Sequence, residues 1–295
     1  MNLLITGAWN DATKHITEIE SMGHKVVFLQ QEKDLLPCPY DWVEGVICNG
    51  LFLYHPISAF INLRYIQLTS AGYDRVPMQE IQRRDIEIHN ARDVYSIPMA
   101  EFAIAGVLDI YKGMGQFREQ QKRHEWIKNR NLRELAGSTV VIIGCGSVGT
   151  ECAKRFKAFG CRVIGIDLIL RDDECYDQIK GMEALDEELA KADVIVLTLP
   201  LTDETKDLIN QRRLDLIQGI LVNISRGAVV DQTALENWNG IAVLDVFSEE
   251  PLDTNSHFWD NSNMIITPHN SFVGTGNSER LTNVVLNGLI HKAKN

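Results

Sequence analysis

The chain lacks several features that would each have fixed a function class. Its six cysteines, Cys38, Cys48, Cys145, Cys152, Cys161 and Cys175, form no CxxC pair and no regular framework. They are therefore expected to be reduced thiols rather than disulfides or zinc ligands, and no metal site is expected. No apolar run approaches the ~18 residues of a membrane span, and the start MNLLITGAWND has neither a basic region nor a cleavage site. A cytoplasmic location is the expectation. No run of Lys and Arg offsets the 40 acidic against 29 basic side chains, which argues against a nucleic-acid binder. Internal repeats and low-complexity segments are absent too.

What is present is alternation. Short β-rich runs (NLLIT, HKVVFL, VEGVIC, YIQLTS, IEIHN) alternate with helical stretches, as in a parallel sheet of βαβ units. A helix is expected from Ser96, with Pro98 in its first turn, where a missing N–H costs little. Ala100, Ala103, Ile104, Val107, Leu108 and Tyr111 give it one buried face. A charged stretch, FREQQKRHEWIKNRNLREL, then reads as a solvated helix and loop, with Trp126 as a packing anchor.

The most specific signal lies at residues 139 to 167, TVVIIGCGSVGTECAKRFKAFGCRVIGID. An apolar strand leads to Gly144-x-Gly146-x-x-Gly149, a helical pattern follows, and a second strand ends at Asp167. The first glycine makes the tight turn, the second lets backbone approach a pyrophosphate, and the third allows close helix packing. Helix N–H groups face the phosphates, and the acid eighteen residues beyond Gly149 accepts ribose hydroxyls. NAD is the expected cofactor, because a carboxylate at Asp167 repels the 2′-phosphate of NADP; Arg171 is positioned to soften that preference. Strands recur at VIVLTLP, GILVNIS, IAVLDVF and MIITPH, so six strands are expected in this doubly wound sheet. A last helix, TNVVLNGLIHKA, is expected to pack back on the first unit.

Three charged residues follow three successive strands of that sheet: Arg226 in NISRGAVVD, Glu250 in LDVFSEEPL and His269 in MIITPHNSF. The carboxyl ends of parallel strands are where such sheets bind ligands. A cation that clamps a carboxylate, an acid that holds a histidine and a histidine that moves a proton suit redox chemistry on a 2-oxo or 2-hydroxy acid. Singly, each is more often a surface ion or a satisfied loop residue.

Seven motifs in order (LTSAGYD, PMAEFAIAGVL, GCGSVG, TLPLTDETKDLIN, NISRGAVVD, LDVFSEEPL and TPHNSF) resemble those of the D-isomer-specific 2-hydroxyacid dehydrogenases, over roughly residues 63 to 287. The resemblance implies an α/β chain of two Rossmann-like domains with doubly wound parallel sheets. A discontinuous, flavodoxin-like substrate domain would be 1–97 with 271–295, and the NAD domain 98–270. It implies that Arg226 binds the substrate carboxylate, that Glu250 pairs with His269, and that His269 is the proton donor and acceptor. Cofactor contacts are implied for Gly144, Gly146, Ser147, Val148, Gly149, Asp167, Leu199, Pro200, Ile224, Ser225, Arg226, Asp245, His269 and Ser271. The backbone at Ala71 and Gly72, with Arg226 and His269, would meet a small 2-oxo or 2-hydroxy acid. The resemblance further implies a homodimer formed around residues 98 to 135.

Three departures bear on substrate. Asn270 stands where a small apolar residue is usual, and bulky Phe272 where glycine or alanine is frequent. Asn49-Gly50 lies where phosphoglycerate-type members tend to carry an arginine, which weakens the case for a phosphorylated substrate. Arg92, Arg118 and Arg123 are alternative sources of charge, read more simply as solvated side chains. A catalytically silent NAD(H)-sensing protein of the same fold is the alternative. Asp193 and Asp203 receive no role.

Overall fold

The computed structural model describes residues 1 to 293; residues 294 and 295, which fall in the expected substrate domain, lie outside the described residues. The chain divides into two compact units, Met1–Tyr95 with the segment from Gly274 onward, and Ser96–Val273.

The first unit carries five strands, β1 (Asn2–Thr6), β2 (Lys25–Leu29), β3 (Gly45–Cys48), β4 (Tyr65–Leu68) and β5 (Glu87–His89), all parallel in the order β2-β1-β3-β4-β5. β1, β3 and β4 are apolar runs because both faces of the sheet are covered. Leu4, Val46, Ile66 and Leu68 point into one cluster, and Leu3, Ile5, Ile47 and Tyr65 into the other. The second cluster is closed by Leu281, Val285 and Leu289 of the C-terminal helix Asn277–Ala293, which packs on this unit as its sequence pattern predicts. It begins upstream of the expected apolar stretch.

The second unit contains β6 (Thr139–Ile143), β7 (Arg162–Ile166), β8 (Gln178–Lys180), β9 (Val194–Leu197), β10 (Ile220–Asn223), β11 (Ile241–Leu244) and β12 (Met264–Ile266). They pair in parallel in the order β12-β11-β10-β9-β6-β7-β8. Seven strands stand where the sequence predicts six. The addition, β8, is a three-residue edge strand with only Ile179 as an apolar residue and no fully buried position, so no run announces it. Val140 and Ile142 face one core and Val141 and Ile143 the other. The helix Ser96–Tyr111 covers the first of these with Ala100, Ala103, Ile104, Val107 and Tyr111. Gly106 is required there, since a Cβ would lie 2.7 Å from a Val243 methyl.

One expectation is corrected. Trp126 anchors nothing within the chain: it is 95% exposed, in an irregular stretch that follows the helix Met114–Lys122. Its neighbours are too polar to form a core around it. Arg118 and Arg123 pair with Asp109 and Glu125 on the surface, as solvated charges do.

Candidate active site

The order of the seven-stranded sheet reverses at β6, whose carboxyl end is the place a parallel sheet offers to a ligand. The turn there fits a dinucleotide. Gly144 has φ +95°, a conformation that favours glycine, and a Cβ on Gly149 would lie 2.1 Å from the Gly144 carbonyl oxygen. Gly146 faces open space, and it caps the helix Ser147–Ala158 without any side-chain hydrogen bond, which leaves the helix N–H groups available to an anion. Ser147 opens this helix and Val148 packs against the core beneath it. Leu199, after β9, approaches the position of a Gly144 Cβ to 3.0 Å, and Thr198 Oγ1 donates to the Gly144 carbonyl at 2.6 Å. Pro200 follows on the exposed side. Thr198 received no role from sequence, although a hydroxyl at a strand end facing a glycine turn is the kind of signal that marks such a brace.

Asp167 is partly committed to the protein. Its Oδ2 accepts the Cys145 N–H at 2.6 Å and its Oδ1 the Ile169 N–H at 3.0 Å. The Arg171 guanidinium donates to the Cys145 carbonyl and lies 3.6 Å from Asp173. The acid and the cation therefore meet the same residue of the glycine turn. Burial pushes the Cys145 thiol up to about 11, so it stays neutral beside them.

The three charged residues each follow a neighbouring strand, β10, β11 and β12. His269 Nδ1 lies 2.7 Å from Glu250 Oε2, while Glu250 Oε1 accepts the Phe247 N–H at 3.0 Å. Both carboxylate oxygens are engaged, so the acid is fixed in place and fixes the imidazole in turn. With Nδ1 facing a carboxylate, the Nδ1 proton is held there and Nε2 is left for chemistry. The His269 side chain is 39% exposed, open enough for a reactant to reach. Phe272 meets the ring edge-on at 5.9 Å.

His269 has φ +49°, a left-handed conformation that costs a non-glycine residue free energy. Asp245 supplies the compensation. This fully buried acid accepts Thr267 Oγ1 at 2.7 Å, the Asn270 N–H at 2.8 Å and the Ser271 N–H at 2.9 Å, and its own carbonyl accepts the His269 N–H at 2.8 Å. Asp245 thus holds the histidine turn, a role that its identity alone does not signal. Ser271, also buried, is part of the same anchor.

Arg226 is placed by two further devices. The Asn223 amide donates to the Arg226 carbonyl at 3.0 Å and accepts the Ser225 N–H and Oγ at 3.1 and 2.8 Å. Gly227 lets the turn touch the next one, since a Cβ would lie 1.9 Å from the Phe247 carbonyl carbon. Ile224 and Ser225 are buried beneath this turn. Asn223 was not anticipated; a buried amide ending an apolar strand is its signal. Asp193, left without a role, binds the Thr139 N–H and Arg133.

Ala71 and Gly72 belong to the first unit, in the turn after β4. Asn90 Nδ2 donates to the Ala71 carbonyl at 2.6 Å and Ser70 Oγ to the Gly72 carbonyl at 3.1 Å. Among the described residues neither Ala71 nor Gly72 N–H has an acceptor, so both remain available to an anion.

The residues 104–271 match the NAD binding domain of the D-isomer specific 2-hydroxyacid dehydrogenases. A glyoxylate reductase of Thermococcus gammatolerans is 34% identical over 245 residues, covering 77% of this chain and 72% of that one. A glyoxylate reductase of Pyrococcus horikoshii is 32% identical over 244 residues, covering 77% and 72%. The crystal structure of a D-isomer specific 2-hydroxyacid dehydrogenase family protein from Aeromonas salmonicida superposes with a TM-score of 0.88 at 28% identity, covering 99% of this chain and 95% of that chain. A glycine turn shaped for a dinucleotide, ahead of an acid-held histidine, is thus shared out along a sequence that matches in the same region, and the chain belongs to the D-isomer-specific 2-hydroxyacid dehydrogenase family as an NAD-dependent enzyme.

Proposed function

We propose that this enzyme reduces a small 2-oxo acid to the D-2-hydroxy acid, and runs the reverse oxidation, with His269 as the acid and base. The observation that carries the reading is the 2.7 Å contact of His269 Nδ1 with Glu250. Bound NADH supplies the hydride that C2 of the substrate accepts. His269 Nε2 delivers a proton to the oxygen that becomes the hydroxyl, and Glu250 balances the positive charge that the ring carries before it gives that proton up. Arg226 meets the substrate carboxylate and carbonyl through its planar fork, stabilising the negative charge that grows on oxygen. In the oxidative direction neutral His269 takes the proton back. Gly144, Gly146, Ser147, Val148, Gly149, Leu199 and Pro200 form the proposed cofactor cradle, with Asp167 favouring NAD over NADP and Arg171 moderating that choice.

In this reading residues 98–270 hold the cofactor, and 1–97 with 271–295 serve the substrate, with Ala71 and Gly72 N–H groups receiving a carboxylate. Asp245 acts as an anchor of the histidine turn. A homodimer is proposed through the region 98 to 135. Support comes from the exposed Trp126 and Ile127 and from a groove of about 300 Å³ lined by Ile104, Ala105, Leu108, Ala158 and Phe159. Light scattering on the eluted protein tests it. The described helices include none long and apolar enough to cross a membrane, and a cytoplasmic location remains the proposal.

The deciding experiment follows NADH oxidation with glyoxylate, hydroxypyruvate, pyruvate, branched 2-oxo acids and 3-phosphohydroxypyruvate, repeated with NADPH. Turnover of at least one, faster with NADH, is the expected result. Tight NADH binding with no turnover on any of them would favour the silent sensor.

A further inference from the structure

The chain leaves the five-stranded sheet after Thr69, whose N–H still reaches the Cys48 carbonyl of the neighbouring strand at 2.9 Å. From there four successive carbonyls are held: the Tyr95 hydroxyl donates to that of Thr69, the Ala91 N–H to Ser70 at 2.8 Å, the Asn90 amide to Ala71 at 2.6 Å and Ser70 Oγ to Gly72 at 3.1 Å. A trans peptide carries its C=O and N–H on opposite sides, so a carbonyl held in one direction aims the next N–H in the other. The Ser70 and Ala71 carbonyls thereby aim the Ala71 and Gly72 N–H groups. The Thr69 carbonyl sets the peptide plane from which both follow.

Three of these donors belong to residues 90 to 95, which the β4 to β5 register, Gln67 with His89, lays beside the turn. This segment is anchored in its own right. Ala91 and Val94 are buried, the Val94 N–H reaches the Ala91 carbonyl at 3.2 Å, and Arg280 Nε of the C-terminal helix donates to the Val94 carbonyl at 2.7 Å. Asn277 Oδ1 orients that guanidinium at 2.8 Å. Thr69 is buried, so its carbonyl has no ready substitute for the phenol. Burial also pushes the Tyr95 phenol up, which keeps its proton in place as a donor.

We propose that Tyr95 is a positioning residue for the reaction: held by the segment that Arg280 anchors, its hydroxyl fixes the root of the anion-receiving turn and so sets the affinity for the 2-oxo acid. This rests on the reading that the Ala71 and Gly72 N–H groups take the substrate carboxylate. That carboxylate keeps its charge while hydride is transferred to C2, so its contact is as strong in the ground state as in the transition state. Weakening it should therefore appear in KM and not in kcat.

The test follows kcat and KM with NADH and the 2-oxo acid that the wild type reduces fastest. Tyr95→Phe keeps the ring and removes the donor. It should raise KM about tenfold, the scale of one buried hydrogen bond with a partner left unpaired, with kcat within about twofold and NADH affinity unchanged in a fluorescence titration. Tyr65→Phe is the control for a merely structural loss. That buried phenol begins the same strand and donates to Gln67 Oε1 at 3.4 Å, so removing it should leave KM as it was. Arg280→Met releases the Val94 carbonyl without touching the turn and should raise KM a few-fold with kcat retained, which keeps the proposal open to refutation even if Tyr95→Phe does not fold. An unchanged KM in Tyr95→Phe or in Arg280→Met overturns the proposal. So does an equal rise in Tyr65→Phe, or a fall in kcat larger than the rise in KM. Failure of the wild type to reduce any 2-oxo acid would instead defeat the underlying reading together with the inference.

Discussion

At the carboxyl edge of the seven-stranded sheet every turn that carries a candidate catalytic group is tied down by a side chain. Asn223 holds the Arg226 turn, Asp245 the His269 turn, and Glu250 spans from the Phe247 N–H to the imidazole. At the same edge of the five-stranded sheet the Ala71–Gly72 turn is held by its carbonyls alone, through Asn90 and Ser70. Its N–H groups are left open. The difference separates two tasks. Moving a proton needs an imidazole held to a fraction of an ångström, which takes buried polar anchors. Receiving an anion needs unpaired donors, and backbone provides these without a side chain.

If that contrast is right, damage to the braced edge should cost far more than damage to the open one. Replacing His269 with alanine should lower turnover about a thousandfold, the scale of a lost acid and base, with NADH binding retained in a fluorescence titration. Asp245→Asn should come next. It leaves a buried –NH2 facing the N–H of either Asn270 or Ser271, so urea denaturation should show a loss of about 2–4 kcal/mol and turnover should fall with it. Gly227→Ala forces a Cβ into the Phe247 backbone and should cost about 1–3 kcal/mol while raising KM more than it lowers kcat, since Arg226 is displaced. Asn90→Ala, at the open edge, should cost only about 1 kcal/mol and shift KM a few-fold.

The smallest effect concerns pH. His24, in the first unit, is buried with an unpartnered Nε2, and burial lowers its pKa. The unfolded chain then binds more protons than the folded one between the lowered value and ~6.5, so stability falls as pH drops through that window and is fully present above it. Thermal midpoints measured from pH 7.5 to 5 should show a decline that His24→Gln flattens. A decline identical in the variant would remove His24 as its source.

The elements that sequence made legible are those with strong local periodicity or punctuation. The Gly144, Gly146 and Gly149 spacing predicts a turn that the backbone conformation of Gly144 and the crowding at Gly149 require. The Glu250 and His269 contact follows from their places after adjacent strands. β8 escaped because its three residues at the sheet edge carry no apolar run. Thr198, Asn223 and Tyr95 escaped because their work is done on backbone atoms brought near by β pairing, which spacing along the chain does not report. Burial of Ile224 and Ser225 beneath the Arg226 turn is likewise not announced by their spacing. Position in a motif places a residue near a site, but only the fold decides which way its side chain points.

The Asp245 anchor has a consequence for solvent exchange. The Asn270 and Ser271 amides donate to a carboxylate with no exposed surface, so their protons should leave only when the core of the second unit opens. In a deuterium-exchange time course the loop beside the reacting atoms should behave like a central strand. The Ala71 and Gly72 amides should exchange at once in the free enzyme, and should slow only when a substrate anion is added.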